Sequence, residues 1–102
     1  MKYLKRFENV NKPEVGDYVI AVDNSVSNKY IEFFKSNIGK INYINDWTNV
    51  VDFTVEYDHD EIIKANVNLD NGCFTFFLSE ILARSKNKDD LELYMNAHKY
   101  NL

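Results

Sequence analysis

The chain has 102 residues, one cysteine and a formal net charge of −4, from 12 basic and 16 acidic side chains. A single cysteine excludes an internal disulfide and a four-thiolate zinc site, and no apolar run approaches the ~18 residues of a membrane helix. No apolar stretch follows the charged opening of the chain, so the sequence predicts no signal peptide and a cytoplasmic protein. We expect one packed domain over residues 1–102, because disordered chains lack an aromatic share of 15%.

The first part of the chain predicts a strand, a short helix and a second strand. An apolar run over residues 18–23 follows the turn residues Gly16 and Asp17, as is typical of a strand. Apolar side chains lie mostly on one side of a helix over residues 29–36. A second strand is predicted over residues 40–44.

The clearest periodicity lies in residues 51–58, where apolar and polar side chains alternate. Period two with one apolar face predicts a half-buried antiparallel strand. A turn or a single helical turn follows this strand. Asn71 and Gly72 then separate apolar segments at residues 65–69 and 73–78, and an Asn-Gly pair in this context predicts a β-hairpin because both turn positions need positive φ.

The carboxy-terminal residues 87–100 predict a helix, preceded by a tight helical turn and a short last strand. Asn87 can cap this helix. Leu91, Tyr94 and Met95 lie at the i, i+3 and i+4 spacing of one helical face. A helix of about twelve residues is marginal alone, so we expect that face to dock on the rest of the domain.

The chain resembles SH3-like barrels of the KOW type in two short motifs, a Gly-Asp-x-Val entry at Gly16, Asp17 and Val19 and a Gly-Lys turn at Gly39 and Lys40. The resemblance implies a mainly β (α+β) fold, with an SH3-like five-stranded barrel over residues 15–85. A short helix after the first strand and the helix over residues 87–100 would pack on this barrel.

Acidic side chains are concentrated in the middle of the chain. Residues 41–85 carry eight acids and two bases, whereas residues 1–40 carry seven bases and five acids. The candidate partner-binding residues lie on or just after the alternating strand: Asp52, Glu56, Asp58, Asp60 and Glu61. Such carboxylates can mimic spaced phosphates or attract a basic partner. The alternative is a solvated strand face that keeps the protein soluble.

Two aromatic residues complete the predicted interface. Trp47 follows the Asn45-Asp46 turn signal, and a Trp exposed in a loop suits an interface hot spot. Its alternative role is to fold back over the barrel. Phe33 and Phe34 are adjacent in the predicted helix, so we expect one of them, Phe33, to be exposed for a partner.

The composition is also similar to that of small acidic phage proteins, including the anti-CRISPR inhibitors. Lysines outnumber arginines ten to two, and Asn, Ile, Tyr and Phe are abundant, which indicates an AT-rich genome of a bacterium or its phage. This resemblance implies an inhibitor, acting in the bacterial host cell, that presents an acidic surface to a nucleic-acid-guided nuclease. The leading prediction is therefore a non-enzymatic protein-binding module with a protein partner.

Two other functions stay open at this stage. Lys29, Lys35 and Lys40 are candidate contacts for a KOW-like nucleic-acid-binding module. A small enzyme is the third alternative. Its catalytic motifs are missing, because the sequence has no phosphate-binding glycine loop, no calcium-loop spacing around His59, and no base placed by spacing beside Cys73. We therefore predict no catalytic residue, no metal site and no cofactor.

Overall fold

The computed structural model of the protein describes residues 13–46 and 50–100, with side chains through residue 96. Within these ranges the chain forms five strands, three α-helices and one 3₁₀ turn. In chain order they are β1 (Tyr18–Ala21), α1 (Asn28–Ser36), β2 (Gly39–Asn45), β3 (Asp52–Glu56), α2 (His59–Ala65), β4 (Cys73–Phe77), the 3₁₀ turn (Leu78–Glu80), β5 (Ile81–Ser85) and α3 (Lys88–Tyr100). The fold is mixed α+β rather than mainly β, because the helices hold at least as many residues as the strands.

The five strands form one antiparallel sheet in the order β4-β3-β2-β1-β5. This sheet is open, since β4 and β5 are its two edges, so the predicted closure into a barrel is not found. Two amides of β4 bond locally instead: Cys73 N–H donates to the Asp70 carbonyl at 2.9 Å, and Phe77 N–H donates to the Glu80 carboxylate at 2.8 Å. These bonds occupy two of the amides that β4 would otherwise offer to a further strand at this edge.

Alternation along β3 separates the two faces of the sheet. Phe53 and Val55 are buried, Thr54 is half-buried and Glu56 is exposed, which confirms the predicted period of two. The face that carries Phe53 and Val55 is termed the inner face, and the opposite side the outer face. Ile41 of β2 pairs with Val55 and joins the same buried cluster.

Helix α1 covers the inner face with two adjacent phenylalanines. The ring centroid of Phe33 lies 5.2 Å from that of Tyr57, and the ring centroid of Phe34 lies 5.1 Å from that of Phe76. Both residues are buried, so the prediction that Phe33 is exposed for a partner is wrong. Neighbouring residues point about 100° apart on a helix, and the apolar stripe of a core-facing helix is wide enough to hold both.

Helix α2 lies between β3 and β4, where the sequence predicts a turn or a single helical turn followed by a strand over residues 65–69. The Asp58 side chain caps this helix by accepting hydrogen bonds from the amides of Asp60 and Glu61, at 2.8 and 3.4 Å. Asn66, in the left-handed conformation, ends it. This start and this stop confine the helix to residues 59–65. Residues 66–69 then form a turn and irregular chain that pairs with no strand, so the predicted strand over residues 65–69 is wrong.

The Asn71-Gly72 turn is found where the sequence predicts it. Both residues have positive φ, 54° and 76°, and Asp70 and Cys73 form a bridge around them. The turn leads into β4 and delivers Cys73 opposite Glu56 of β3.

Helix α3 covers one half of the outer face. Leu91 is fully buried against Ile20 of β1 and Ala83 of β5. Tyr94 and Met95, on the same helical face, pack against this cluster. The outer face is thus sealed over β1 and β5, while β2, β3 and β4 lie beside α3.

Candidate functional site

The outer face of β2, β3 and β4 presents side chains that are all exposed or half-buried. This surface, the open face, consists of Lys40, Asn42, Tyr43, Asp52, Thr54, Glu56, Cys73, Thr75 and Phe77. On β3 and β4 its members come from alternate positions, so their shared orientation follows from the period of a β-strand. On β2 a bulge between Ile41 and Tyr43 adds one residue, Asn42, to this alternation. The open face contains two of the predicted partner-binding residues, Asp52 and Glu56.

Strand register sets the neighbours of each open-face carboxylate. Glu56 pairs with Lys40 on β2 and with Cys73 on β4. Asp52 pairs with Phe77 on β4. The acidic row predicted from the sequence is therefore flanked by one base and one aromatic ring, and the open face is mixed in chemistry, with an excess of negative charge.

Two large aromatic side chains stand out of the open face. Tyr43 is 57% exposed and Phe77 is 51% exposed. Tyr43 pairs with Thr54, next to which lies Thr75 of β4. The surface thus carries two exposed aromatic rings on separate strands with small side chains between them, and aromatic residues are enriched in interfaces.

The remaining predicted acids lie at the start of α2 rather than on the open face. Asp58 is the cap of this helix, and Asp60 and Glu61 occupy its first turn, where carboxylates interact favourably with the helix dipole. Glu61 also pairs with Lys64 at 3.5 Å. These three acids therefore have local structural roles that the sequence analysis did not assign to them.

The two aromatic predictions have different outcomes. Phe33 lies on the buried side of α1 and is not available to a partner. Trp47 lies outside the described residues. The exposed aromatic rings of the open face are those of Tyr43 and Phe77. The sequence does not identify Phe77 as the exposed ring, because only the register of β4 shows which of the adjacent Phe76 and Phe77 faces inward.

The candidate nucleic-acid contacts do not come together. Lys29 and Lys35 belong to α1, which packs on the inner face, whereas Lys40 is on the outer face of the sheet. The Nζ atom of Lys40 lies 5.5 Å from the ring centroid of Tyr18 on β1. Phosphate backbones are held by convergent cations, and these three lysines are divided between α1 and the outer face of the sheet.

Cys73 is half-buried at the edge of the open face. Asn42, the extra residue at a bulge in β2, reaches across to it with its Nδ2 atom 3.5 Å from the Cys73 Sγ. The Cys73 Sγ also lies 3.6 Å from the Asn71 carbonyl. Neither neighbour is a base that would activate a thiol nucleophile, so the contacts of Cys73 are those of a packed side chain.

A buried carboxylate near the start of β1 was not predicted from the sequence. Asp17 is fully buried, and its Oδ2 atom accepts hydrogen bonds from Arg84 Nη1 at 2.8 Å and from the Glu14 amide at 2.9 Å. Lys86 Nζ lies 2.8 Å from the other oxygen of Asp17 and also contacts Glu14. We term this group the Asp17 clasp; it ties β1 to β5 and to the segment that leads into α3.

Opposing effects act on the pKa of Asp17. Burial raises it, but the hydrogen bonds from Lys86 and from the Glu14 amide, with the charges of Lys86 and Arg84, outweigh burial and hold the pKa below its ordinary value. Hydrogen bonds to the carboxylates of Asp17 and Glu14 raise the pKa of Lys86. The clasp is therefore charged at neutral pH, as a structural ion pair requires.

A groove of about 720 Å³ opens at the end of the sheet near α2. Buried Tyr57 lines it, together with Lys40, Glu56, His59 and Lys88. Burial raises the pKa of Tyr57, so its phenol stays neutral, and the hydroxyl has no hydrogen-bond partner among the described residues. Lysines and carboxylates are mixed around this rim.

No protein family model, curated protein or solved structure matches this chain. Within residues 13–46 and 50–100, no group of three His, Cys, Asp or Glu side chains is placed to hold a metal ion. In the same part of the chain, no helix combines the length and apolar character needed to cross a membrane. The open face is the surface feature that most calls for a functional explanation.

Proposed function

We propose that this chain is a non-enzymatic protein-binding module that blocks or bridges a protein partner through the open face. The observation that carries the proposal is that one sheet face is sealed by α3 over β1 and β5, while its β2–β4 half presents exposed Tyr43 and Phe77 beside Asp52 and Glu56. Exposed aromatic rings on an ordered sheet cost solubility unless a partner covers them.

The two kinds of open-face side chain would have different roles in binding. Tyr43 and Phe77 are the anchors, because aromatic residues that become desolvated dominate the binding energy of interfaces. Asp52 and Glu56 set the preference for a basic partner and speed its approach, since charge complementarity acts mainly on specificity and on association rate. Lys40 moderates the negative charge at one end of the face.

The partner we propose is a nucleic-acid-guided nuclease, with this chain acting as a phage-encoded inhibitor in the cytoplasm of a bacterial host cell. The support is the acidic excess of residues 41–85, eight acids against two bases, together with the composition of the chain. A nuclease that grips nucleic acid is basic along its binding channel, and an acidic protein surface competes for that channel.

For the fold we propose an SH3-like arrangement that is opened between β4 and β5. The strand order β5-β1-β2-β3-β4 and the 3₁₀ turn before β5 support this likeness. The helices in the two long connections are additions to it. In this view the open face lies on the outside of the arrangement, away from the core beneath α1.

The test is a charge reversal on the open face. The variant Asp52→Lys/Glu56→Lys and the parent chain would be immobilised and used to capture proteins from a bacterial lysate, with quantitative mass spectrometry as the readout. We expect the variant to capture at least roughly tenfold less of the specific partner. The two carboxylates that face a basic surface in the parent would be replaced by lysines that repel it. Asp58 is left unchanged, since its side chain caps α2.

The matched control is Glu32→Lys/Glu92→Lys, which makes the same change in net charge at exposed positions on α1 and α3. The control should capture the partner as the parent does. A purified guide-RNA nuclease should be inhibited by parent and control but not by the open-face variant. If the variant and the control behave alike in capture, the open face is not the interface.

A further inference from the structure

The open face has the dimensions of a single α-helix. It spans three strands, and neighbouring strands lie about 4.8 Å apart, so the distance from β2 to β4 is about 10 Å. Its strands β3 and β4 are each five residues long, which corresponds to about 17 Å. An α-helix is about 10–12 Å wide with its side chains, and about eleven of its residues span 17 Å.

The other half of the same sheet face shows how a helix docks on this surface. Leu91 of α3 inserts against Ile20 and Ala83, and Tyr94 and Met95 flank it. A small side chain on an edge strand lets a helix approach closely, and Ala83 has this role on β5.

On the open face the corresponding small side chains are Thr54 and Thr75. They lie next to each other in the register of β3 and β4, between the aromatic rings of Tyr43 and Phe77. The two short threonine side chains form the base of a shallow groove, and the larger rings of Tyr43 and Phe77 form its sides. An apolar side chain of an incoming helix would fit between these two rings in the way Leu91 fits over β1 and β5.

Charge decides which helix suits this surface. The open face carries Asp52 and Glu56 against the single base Lys40, and the acids of α2 lie beyond one end. A helix like α3, with Asp89 and Asp90 in its first turn, would meet like charges there. A helix with lysines or arginines along the edges of its apolar stripe would instead pair with Asp52 and Glu56.

The geometry points to a basic amphipathic helix of the partner protein as the occupant of the open face, lying along β3 between β2 and β4, beside α3. This inference rests on the proposed function and adds the class of element that binds. It makes Phe77 and Tyr43 the residues that clasp the apolar stripe of that helix. Asp52 and Glu56, at the two ends of β3, bind basic residues that flank the stripe near the two ends of the docked helix.

The probe is a synthetic peptide of about 14 residues made of Leu and Lys, with the leucines at i, i+3, i+4 and i+7 so that a helix has one apolar face. A second peptide of the same composition alternates Leu and Lys, which suits a strand. Binding would be measured by titration calorimetry, and the helicity of the bound peptide by circular dichroism. We expect the helical pattern to bind roughly tenfold more tightly than the alternating one and to gain helicity on binding.

Variants locate the site. Phe77→Ser and Asp52→Lys/Glu56→Lys should each weaken the helical peptide roughly tenfold, whereas Glu32→Lys/Glu92→Lys should leave its binding unchanged. Equal binding of the two peptides, or binding that survives both open-face variants, overturns the inference. If the captured partner is lost on charge reversal while the helical peptide does not bind, only the helix inference fails. If capture is unaffected by charge reversal, the proposed function fails as well.

Discussion

The two halves of the outer sheet face are built from the same alternation of side chains, but one half is buried and the other is exposed. Over β1 and β5, Ile20 and Ala83 are sealed under Leu91 of α3. Over β2, β3 and β4, Tyr43 and Phe77 stand more than half exposed. The strand geometry is common to both halves, so the difference comes from which half the carboxy-terminal helix covers. One half contributes to folding, and the other is the surface that we propose binds a partner.

This comparison predicts that stability and binding can be separated by mutation. Changes beneath α3 or in the Asp17 clasp should lower the free energy of unfolding, because they remove buried contacts. Changes on the open face should lower binding and leave the free energy of unfolding nearly unchanged.

The largest expected effect is at the clasp that holds β1 to β5. Asp17→Asn removes the buried negative charge that faces Arg84 and Lys86, and we expect it to lower the free energy of unfolding by about 3–5 kcal/mol, the cost of breaking a buried ion pair. Urea denaturation measures this. Glu14→Gln, which alters an exposed contact of Lys86, is the control and should cost less than about 1 kcal/mol. Equal losses of unfolding free energy in the two variants would mean that the buried ion pairs of Asp17 contribute no more to stability than the exposed contact of Glu14.

Next comes a direct comparison of the two halves. Leu91→Ala on the sealed half should lower the free energy of unfolding by about 2–5 kcal/mol, because it opens a cavity under α3. Phe77→Ala on the open half removes a larger side chain but should cost no more than about 0.5 kcal/mol, since that ring is already in water. Chemical denaturation measures the free energy of unfolding of both variants. An equal loss for Phe77→Ala and Leu91→Ala would contradict the difference between the two halves.

Acid should weaken the junction between β1 and β5 through Asp17. The contacts of Asp17 hold its pKa below the ordinary value of 3.8 in the folded state, so the unfolded chain binds more protons as the pH falls through this region. The contribution of Asp17 to stability is therefore present above about pH 4 and lost as the pH falls through the folded pKa. Unfolding free energies measured from pH 6 to pH 2 should fall more steeply for the parent than for Asp17→Asn. Parallel curves would show that Asp17 does not carry the acid sensitivity.

A smaller effect separates the acids of α2 from those of the open face. Asp58→Ala removes the cap of α2 and should lower the free energy of unfolding by about 0.5–2 kcal/mol. Asp60→Ala, in the same helix but without a capping contact from its side chain, should cost less than Asp58→Ala. Thermal melts of the two variants make the comparison. A larger loss for Asp60→Ala would show that the helix dipole matters more here than the cap.

The smallest effect on stability belongs to the charge-reversed open face. Asp52→Lys/Glu56→Lys should change the free energy of unfolding by less than about 1 kcal/mol, with most of that loss from placing a lysine opposite Lys40. The same variant should lose its partner in the capture experiment. A variant that unfolds readily would mean that these carboxylates support the sheet itself, and the two halves would then be less different than the structure indicates.

Several local features of this fold were readable from the sequence because they depend on residues close together in the chain. The alternation of β3 follows from period two, the turn at Asn71 and Gly72 follows from their tolerance of positive φ, and the cap of α3 at Asn87 follows from its side-chain oxygen. Each requires only a few consecutive residues and the preferences of the backbone.

The candidate site was readable only in part. Asp52 and Glu56 were identified because alternation places them opposite the buried Phe53 and Val55. Their neighbours were not identified, because the flanking strands contribute Lys40 and Phe77 through a register that sequence periodicity does not set. An apparent row of acids thus became a mixed surface.

The sequence by itself determined the alternating strand, its acidic outward positions, the tight turn at Asn71-Gly72 and the amphipathic carboxy-terminal helix. Only the tertiary structure decided that Phe33 and Phe34 are both buried, that Asp17 meets Arg84 across 67 positions of chain, and that α3 covers β1 and β5 rather than β2 to β4. The physical reason is the range of the interactions. Backbone propensity and capping act within a turn of chain, whereas burial and ion pairing form only once distant strands have come together in one sheet.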